Sequence, residues 1–173
     1  MTPLLLLATS DGLAICERVG AEWKERKRAL ADHAVTSLAA RSDLIVAGTT
    51  DGLFRSNDGR GTWACLYECY CRAAWIDPED SDHILFGPAQ SVDSRGRIEE
   101  TRDGGKTWTP ASTGLKTPWR NHMVERFAQA GDELLAVLSN GELISAPLAA
   151  LEWRRTLPEV EDVAAAAVIG LAA

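Results

Sequence analysis

Two stretches of the chain are copies of one another. Ser56-Asn57-Asp58-Gly59-Arg60-Gly61-Thr62-Trp63 and Thr101-Arg102-Asp103-Gly104-Gly105-Lys106-Thr107-Trp108 each place a hydroxyl first, Asp third, Thr seventh and Trp last. Their starts lie 45 residues apart, and Trp23 and Trp153 extend the pattern, so that Trp23, Trp63, Trp108 and Trp153 are separated by 40, 45 and 45 residues. A period of this length means that one supersecondary unit is used repeatedly and that neighbouring units supply each other's core.

Each tryptophan is preceded by the same grammar: an apolar run, a turn, and a second short strand. The runs are Leu4–Thr9, Leu44–Thr49, His83–Gly87 and Glu133–Leu138. Asp11-Gly12, Asp51-Gly52 and Asn140-Gly141 follow three of them, and a longer loop from Pro88 to Arg95 follows the third. Asp-Gly and Asn-Gly between apolar runs are hairpin signals, because these residues tolerate positive φ. Three units carry an additional upstream strand, at Ala34–Ala39, Ala73–Ile76 and His122–Phe127. Four antiparallel strands, here A to D, in units of about 40–50 residues describe a β-propeller blade. The expected fold is therefore all-β, a small single-domain propeller.

The first unit begins at strand B. The segment Val160–Val168 stands where a further strand A belongs, and its small residues suit a crowded centre. It is expected to pair with Leu4–Thr9 and close a four-bladed ring. The blades then comprise residues 3–30 plus 160–169, 33–69, 72–112 and 120–157. The rival is an open half that dimerises into an eight-bladed ring. The outermost strand after Trp23, Lys24-Glu25-Arg26-Lys27-Arg28, is charged as an edge strand should be to oppose edge-to-edge pairing.

The repeated stretch resembles the Asp-box, the BNR repeat of sialidase-like, sortilin-like and photosystem-assembly-factor-like propellers, with the pattern S/T-x-D-x-G-x-T-W. Thr101, Asp103, Gly105, Thr107 and Trp108 match throughout. Ser56, Asp58, Thr62 and Trp63 also match, with Arg60 in the glycine position. The run from Trp75 to Leu85 is similar to the A–B hairpin of those proteins. The resemblance implies a structural turn away from any active site. The residues agree with that role: an Asp side chain can accept the turn's own amides, and glycines supply positive φ. Neither copy offers the alternating carboxylates that calcium requires, so no metal is expected there. Sialidases, the enzymatic members, are six-bladed and use an arginine triad and a Tyr–Glu pair. This chain is too short for six blades at its own period, and its only tyrosines are Tyr67 and Tyr70.

The formal charge of −7 disfavours nucleic acid and anionic membrane as partners. The N-terminal run lacks a basic segment before its apolar residues and reads as a strand rather than a signal peptide, which suggests a cytoplasmic protein with free thiols at Cys16, Cys65, Cys69 and Cys71. No phosphate loop, nucleophile elbow or metal-spaced histidine pair is present. No catalytic residue, cofactor or metal ligand is assigned, and enzymatic activity stays open with the balance against it. In the resembling propellers ligands sit at the mouth of the channel, on the side of the D–A and B–C connections. That rule selects His33, Arg72, Asp93, Arg95, Trp119, Arg120, His122 and Asp162. The expected function is a non-catalytic binding or scaffold module, monomeric or homodimeric, for a small ligand or protein. The alternatives are a small glycosidase-like hydrolase or metal-dependent enzyme at the same mouth, and an assembly factor.

Overall fold

The computed structural model describes residues 3–59 and 61–169, and Arg60 lies outside them. Among the described residues fifteen strands form four antiparallel sheets. Blade 1 holds β1 (Leu4–Thr9), β2 (Gly12–Val19) and β3 (Glu22–Ala29). Blade 2 holds β4 (Val35–Arg41), β5 (Leu44–Thr49), β6 (Leu53–Ser56) and β7 (Ala64–Tyr67). Blade 3 holds β8 (Tyr70–Ile76), β9 (Ile84–Ala89), β10 (Glu99–Thr101) and β11 (Thr109–Pro110). Blade 4 holds β12 (Val124–Ala130), β13 (Glu133–Leu138), β14 (Leu143–Pro147) and β15 (Arg154–Arg155). Each sheet is a meander in chain order, and the fold is a small four-bladed β-propeller.

The B strands explain why the blades stack. Every residue of β5 and of β9 is buried, because one face meets the preceding blade and the other the following one. Leu13 and Ile15 pack on Val35 and Ala47 between blades 1 and 2. Val46 and Leu53 meet Ile84 and Phe86 between blades 2 and 3. Leu85 and Ile98 meet Leu134, Ala136 and Ile144 between blades 3 and 4. Each Leu, Ile or Phe so buried contributes about 1.5–3 kcal/mol.

The repeated tryptophans are the clamps of these interfaces. Trp63 lies against the cluster shared by blades 1 and 2. The Trp108 ring sits 4.5 Å from that of Phe86 and 5.9 Å, edge-on, from that of Tyr67 on the preceding blade. Trp153 is buried and donates its indole N–H to the Ala111 carbonyl of blade 3 at 2.8 Å.

The C–D turns that lead to these tryptophans fold on a single carboxylate. Asp103 Oδ1 accepts the amides of Lys106 and Thr107 at 3.0 and 2.9 Å and the Thr101 hydroxyl at 2.7 Å, while Oδ2 accepts the Thr107 hydroxyl at 2.6 Å. Those donors hold the Asp103 carboxyl far below the usual carboxylate range. Gly104 and Gly105 turn the chain with φ of 73° and 96°, a region open to glycine at little cost. In blade 2, Asp58 accepts the Gly61 amide at 2.7 Å, and the Ser56 hydroxyl accepts that of Gly59 at 3.0 Å. The Gly104 amide donates to Asp82 of the A–B hairpin, so this turn lies at the opposite end of the blade from the B–C connection.

One expectation is corrected. Residues 160–169 form no strand, β1 pairs only with β2, and blade 1 has three strands rather than four. The run Ala164–Ala167 has low β-propensity and little side chain to pack. The Val163 amide instead donates to the Gly141 carbonyl, laying the segment over the B–C turn of blade 4. The expected ring closure through a β1 pairing is therefore not made among the described residues.

Candidate functional site

The three A strands share a defect at the same place. The register of β4 on β5 shifts between Val35 and Ser37, that of β8 on β9 between Cys71 and Ala74, and that of β12 on β13 between Val124 and Arg126. A β-bulge leaves a residue out of the ladder and re-aims its side chain. The residues so released are Thr36, Arg72 with Ala73, and Glu125, one set per blade.

Two of them meet. Arg72 Nη1 donates to Glu125 Oε1 at 2.7 Å, and Arg72 Nε donates to the Tyr70 hydroxyl at 2.8 Å. The Arg72–Glu125 pair lies between two cavities and lines both. The outer one, at the mouth, has a volume of about 490 Å³ and is lined by Asp93, Ser139, Asn140, Asp162 and Val163 as well as the pair. The inner one, about 370 Å³, runs between the A strands past Thr36, Leu38, Ala74 and Phe127. The pair thus forms a crossbar between mouth and channel. It ties blade 3 to blade 4 and leaves the other carboxylates of the mouth without that cation.

Of the eight residues selected from sequence, the mouth cavity brings together Arg72, Asp93 and Asp162. Asp93 comes from the long B–C loop of blade 3 and has φ of 52°, a left-handed conformation that Asp adopts more readily than most residues. Asp162 arrives with the segment after blade 4. Gly141 makes room for it: a Cβ there would lie 2.8 Å from the Asp162 Cα.

His122 lies beside this group. Its ring is 4.9 Å from that of Trp119, and its partial burial lowers its basicity, opposed by the carboxylates of Glu142 and Asp93. Trp119 is buried, and its amide donates to Gly96 at 2.8 Å, so it anchors the long loop rather than facing a ligand. Arg95 and Arg120 are exposed and line neither cavity. His33 is held within blade 2. Its Nδ1 lies 2.9 Å from Asp51, its ring lies tilted against that of Phe54 with centroids 4.7 Å apart, and the hydrogen bond to His33 lowers the Asp51 carboxyl below its ordinary range.

Sequence reasoning missed Glu125. It sits mid-strand rather than in a connection, and a bulge has no signature in a single sequence beyond a charge at an otherwise apolar position. Ser139 was missed as well. Its hydroxyl accepts the Met123 amide at 3.1 Å, joining the B–C turn to the start of β12.

Among the described residues no group of three or more His, Cys, Asp or Glu is arranged to hold a metal ion. The cysteines are free. Burial pushes the Cys71 thiol up to about 12 and that of Cys69 higher still, while Cys65 is exposed.

No protein-family model matches the chain, and no curated protein matches it. Solved structures do. The chain is similar to an ancestral GH74 enzyme, with a TM-score of 0.67 and 17% identity over 88% of this chain and 22% of that one. It is similar to the extracellular domain of the putative one component system BT4673 from B. thetaiotaomicron, with a TM-score of 0.61 and 17% identity over 82% of this chain and 19% of that one. It is also similar to YCF48 bound to D1 peptide, with a TM-score of 0.55 and 15% identity over 85% of this chain and 48% of that one. The chain spans less than half the length of each of these structures. At such identities the likeness shows the fold, a β-propeller.

Proposed function

We propose that this chain is a BNR-class propeller acting in the cytoplasm as a non-catalytic binding or scaffold module. Its ligand, a protein segment or small molecule carrying a basic group, would enter at the mouth cavity. The observation that carries this reading is the charge balance of that cavity. Arg72 is spent on Glu125, while the Asp93 and Asp162 carboxylates remain at the rim with the polar side chain of Asn140 between blades. A cation placed there gains two carboxylate partners lining one concavity, and charge-assisted hydrogen bonds of that kind are stronger than neutral ones. The likeness to YCF48 bound to D1 peptide supports a peptide as the kind of ligand.

Fluorescence polarisation with two matched sets of short labelled peptides, Lys/Arg-rich and Glu-rich, tests the reading. The basic set should bind, and Asp93→Asn with Asp162→Asn should weaken it by about tenfold or more, equivalent to about 1.4 kcal/mol. Equal binding of both sets would overturn it. A hydrolase reading draws on the likeness to a GH74 enzyme and on the same carboxylates. Turnover of aryl glycosides that disappears in Asp162→Asn would put that reading in its place.

A further inference from the structure

The two cavities that share the Arg72–Glu125 pair carry opposite charge. The mouth cavity is lined by Asp93, Glu125 and Asp162 and by one cation, Arg72. The inner cavity is lined by Arg72 and Arg126 and by one carboxylate, Glu125. The pair belongs to both and cancels itself. What remains is two carboxylates on its outer side and one guanidinium on its inner side. The sign of the lining therefore reverses across a single ion pair.

Arg126 follows Glu125 directly at the bulge of β12. It is exposed, and among the described residues it makes no hydrogen bond or ion pair. A guanidinium keeps its charge at any working pH, so this cation is permanent. The wall around it is otherwise uncharged. Leu38, Ala74 and Phe127 are apolar, and the Thr36 hydroxyl is already taken up by the carbonyls of Gly48 and Cys71. Ser37 lines the same cavity, and its hydroxyl is buried without a partner among the described residues. The inner cavity thus offers donors to an acceptor group, whereas the mouth offers acceptors to a donor group. A ligand that is only cationic leaves Arg126 unused, and one that is only anionic is repelled at the mouth by Asp93 and Asp162.

We infer that the ligand carries both charges, as a basic residue with a free carboxylate. This rests on the mouth taking a basic group, as proposed above, and adds the second half of the ligand. The basic side chain stays at Asp93 and Asp162. The carboxylate lies on Arg126, whose guanidinium can meet it with two parallel N–H donors. The methylene stem of a lysine or arginine holds the two charges apart and packs on the apolar wall. A free basic amino acid and a protein segment whose last residue is Lys or Arg present this same chemistry.

Fluorescence polarisation tests this with one amino-terminally labelled peptide ending in arginine, made as the free acid and as the carboxyl-terminal amide. The acid should bind tighter by about tenfold or more. A purely acidic site gives the reverse order, because the amide lacks a negative charge. Arg126→Gln should bring the acid down to the affinity of the amide, and circular dichroism checks that its fold is that of the parent. Acid and amide bound equally by the wild type, or the amide bound tighter, overturns the inference and leaves the basic-ligand reading in place. Binding of neither peptide overturns both. An acid preference that survives Arg126→Gln overturns the inference as well, and the wild-type comparison decides alone should that variant fail to fold. Unlabelled free arginine and the unlabelled peptide acid then compete with the probe. Displacement by both supports a small-molecule ligand, and displacement by the peptide alone supports a protein segment.

Discussion

Arg72 of β8 and Glu125 of β12 form a 2.7 Å ion pair between two adjacent innermost strands, and both side chains reach it from β-bulges. Arg72 retains 34% and Glu125 23% of its side-chain exposure, so the pair is neither a surface contact nor fully dry. Replacing Arg72 by Met removes one partner and leaves a half-buried carboxylate. The expected cost is about 1–2 kcal/mol, between exposed and buried pairs. Urea denaturation of Arg72→Met and of the double variant with Glu125→Gln checks it. The double variant should recover part of the loss, and additive losses would show that the two side chains are not coupled.

Asp103 gathers four donors, and they hold its acidity below the ordinary aspartate value. Its folded pKa is depressed, so its contribution is fully present above the unfolded-state value and fades as the pH falls through the folded one. Asp103→Ala should lower the melting temperature at neutral pH more than Asp103→Asn, which keeps one acceptor. The gap between wild type and either variant should narrow once the pH is taken below the usual carboxylate range. A gap that stays constant into strong acid would show that the ionised carboxylate is not what holds the turn.

The tryptophans at the interfaces are not equivalent. The Trp153 indole N–H reaches the Ala111 carbonyl, whereas the buried indole nitrogens of Trp63 and Trp108 have no protein acceptor among the described residues. Trp153→Phe leaves that carbonyl unpaired and should cost about 1 kcal/mol more than Trp108→Phe. Equilibrium unfolding of the two variants measures the difference, and a smaller loss for Trp153→Phe would contradict this assignment.

Thiol reactivity should separate the cysteines. Cys65 is exposed, whereas Cys16 and Cys71 are buried and the Cys69 and Cys71 thiolates are disfavoured by burial. The thiolate is the reacting species, so a disulfide reagent at mildly alkaline pH should modify Cys65 first. Cys65→Ser should remove the fast phase, and Cys71 should react only on denaturation. A fast phase that survives Cys65→Ser would mean that the half-buried Cys69, or a buried thiol that opens readily, is the reacting group.

The spacing of Trp23, Trp63, Trp108 and Trp153, together with the Asp-Gly and Asn-Gly turns, was enough to read the blades. A repeat writes its period into the chain, and hairpins are local. The polar turn around Asp103 was equally legible, since every partner of its carboxylate lies within four residues. Connection residues predicted the composition of the mouth in part, and Arg72, Asp93 and Asp162 do share a cavity. Other features depended on contacts between segments far apart in sequence. The bulges that turn Arg72 toward Glu125, 53 residues away, left no pattern to read. Whether Val160–Val168 pairs with β1 was likewise a tertiary matter, because an Ala-rich run has no strong preference of its own and takes the conformation its neighbours stabilise. The sequence alone determined the number of blades and how each one turns, through local periodicity. Only the tertiary structure decided which side chains meet at the mouth and that, among the described residues, the segment after blade 4 does not pair with β1, because both depend on how one sheet sits against the next.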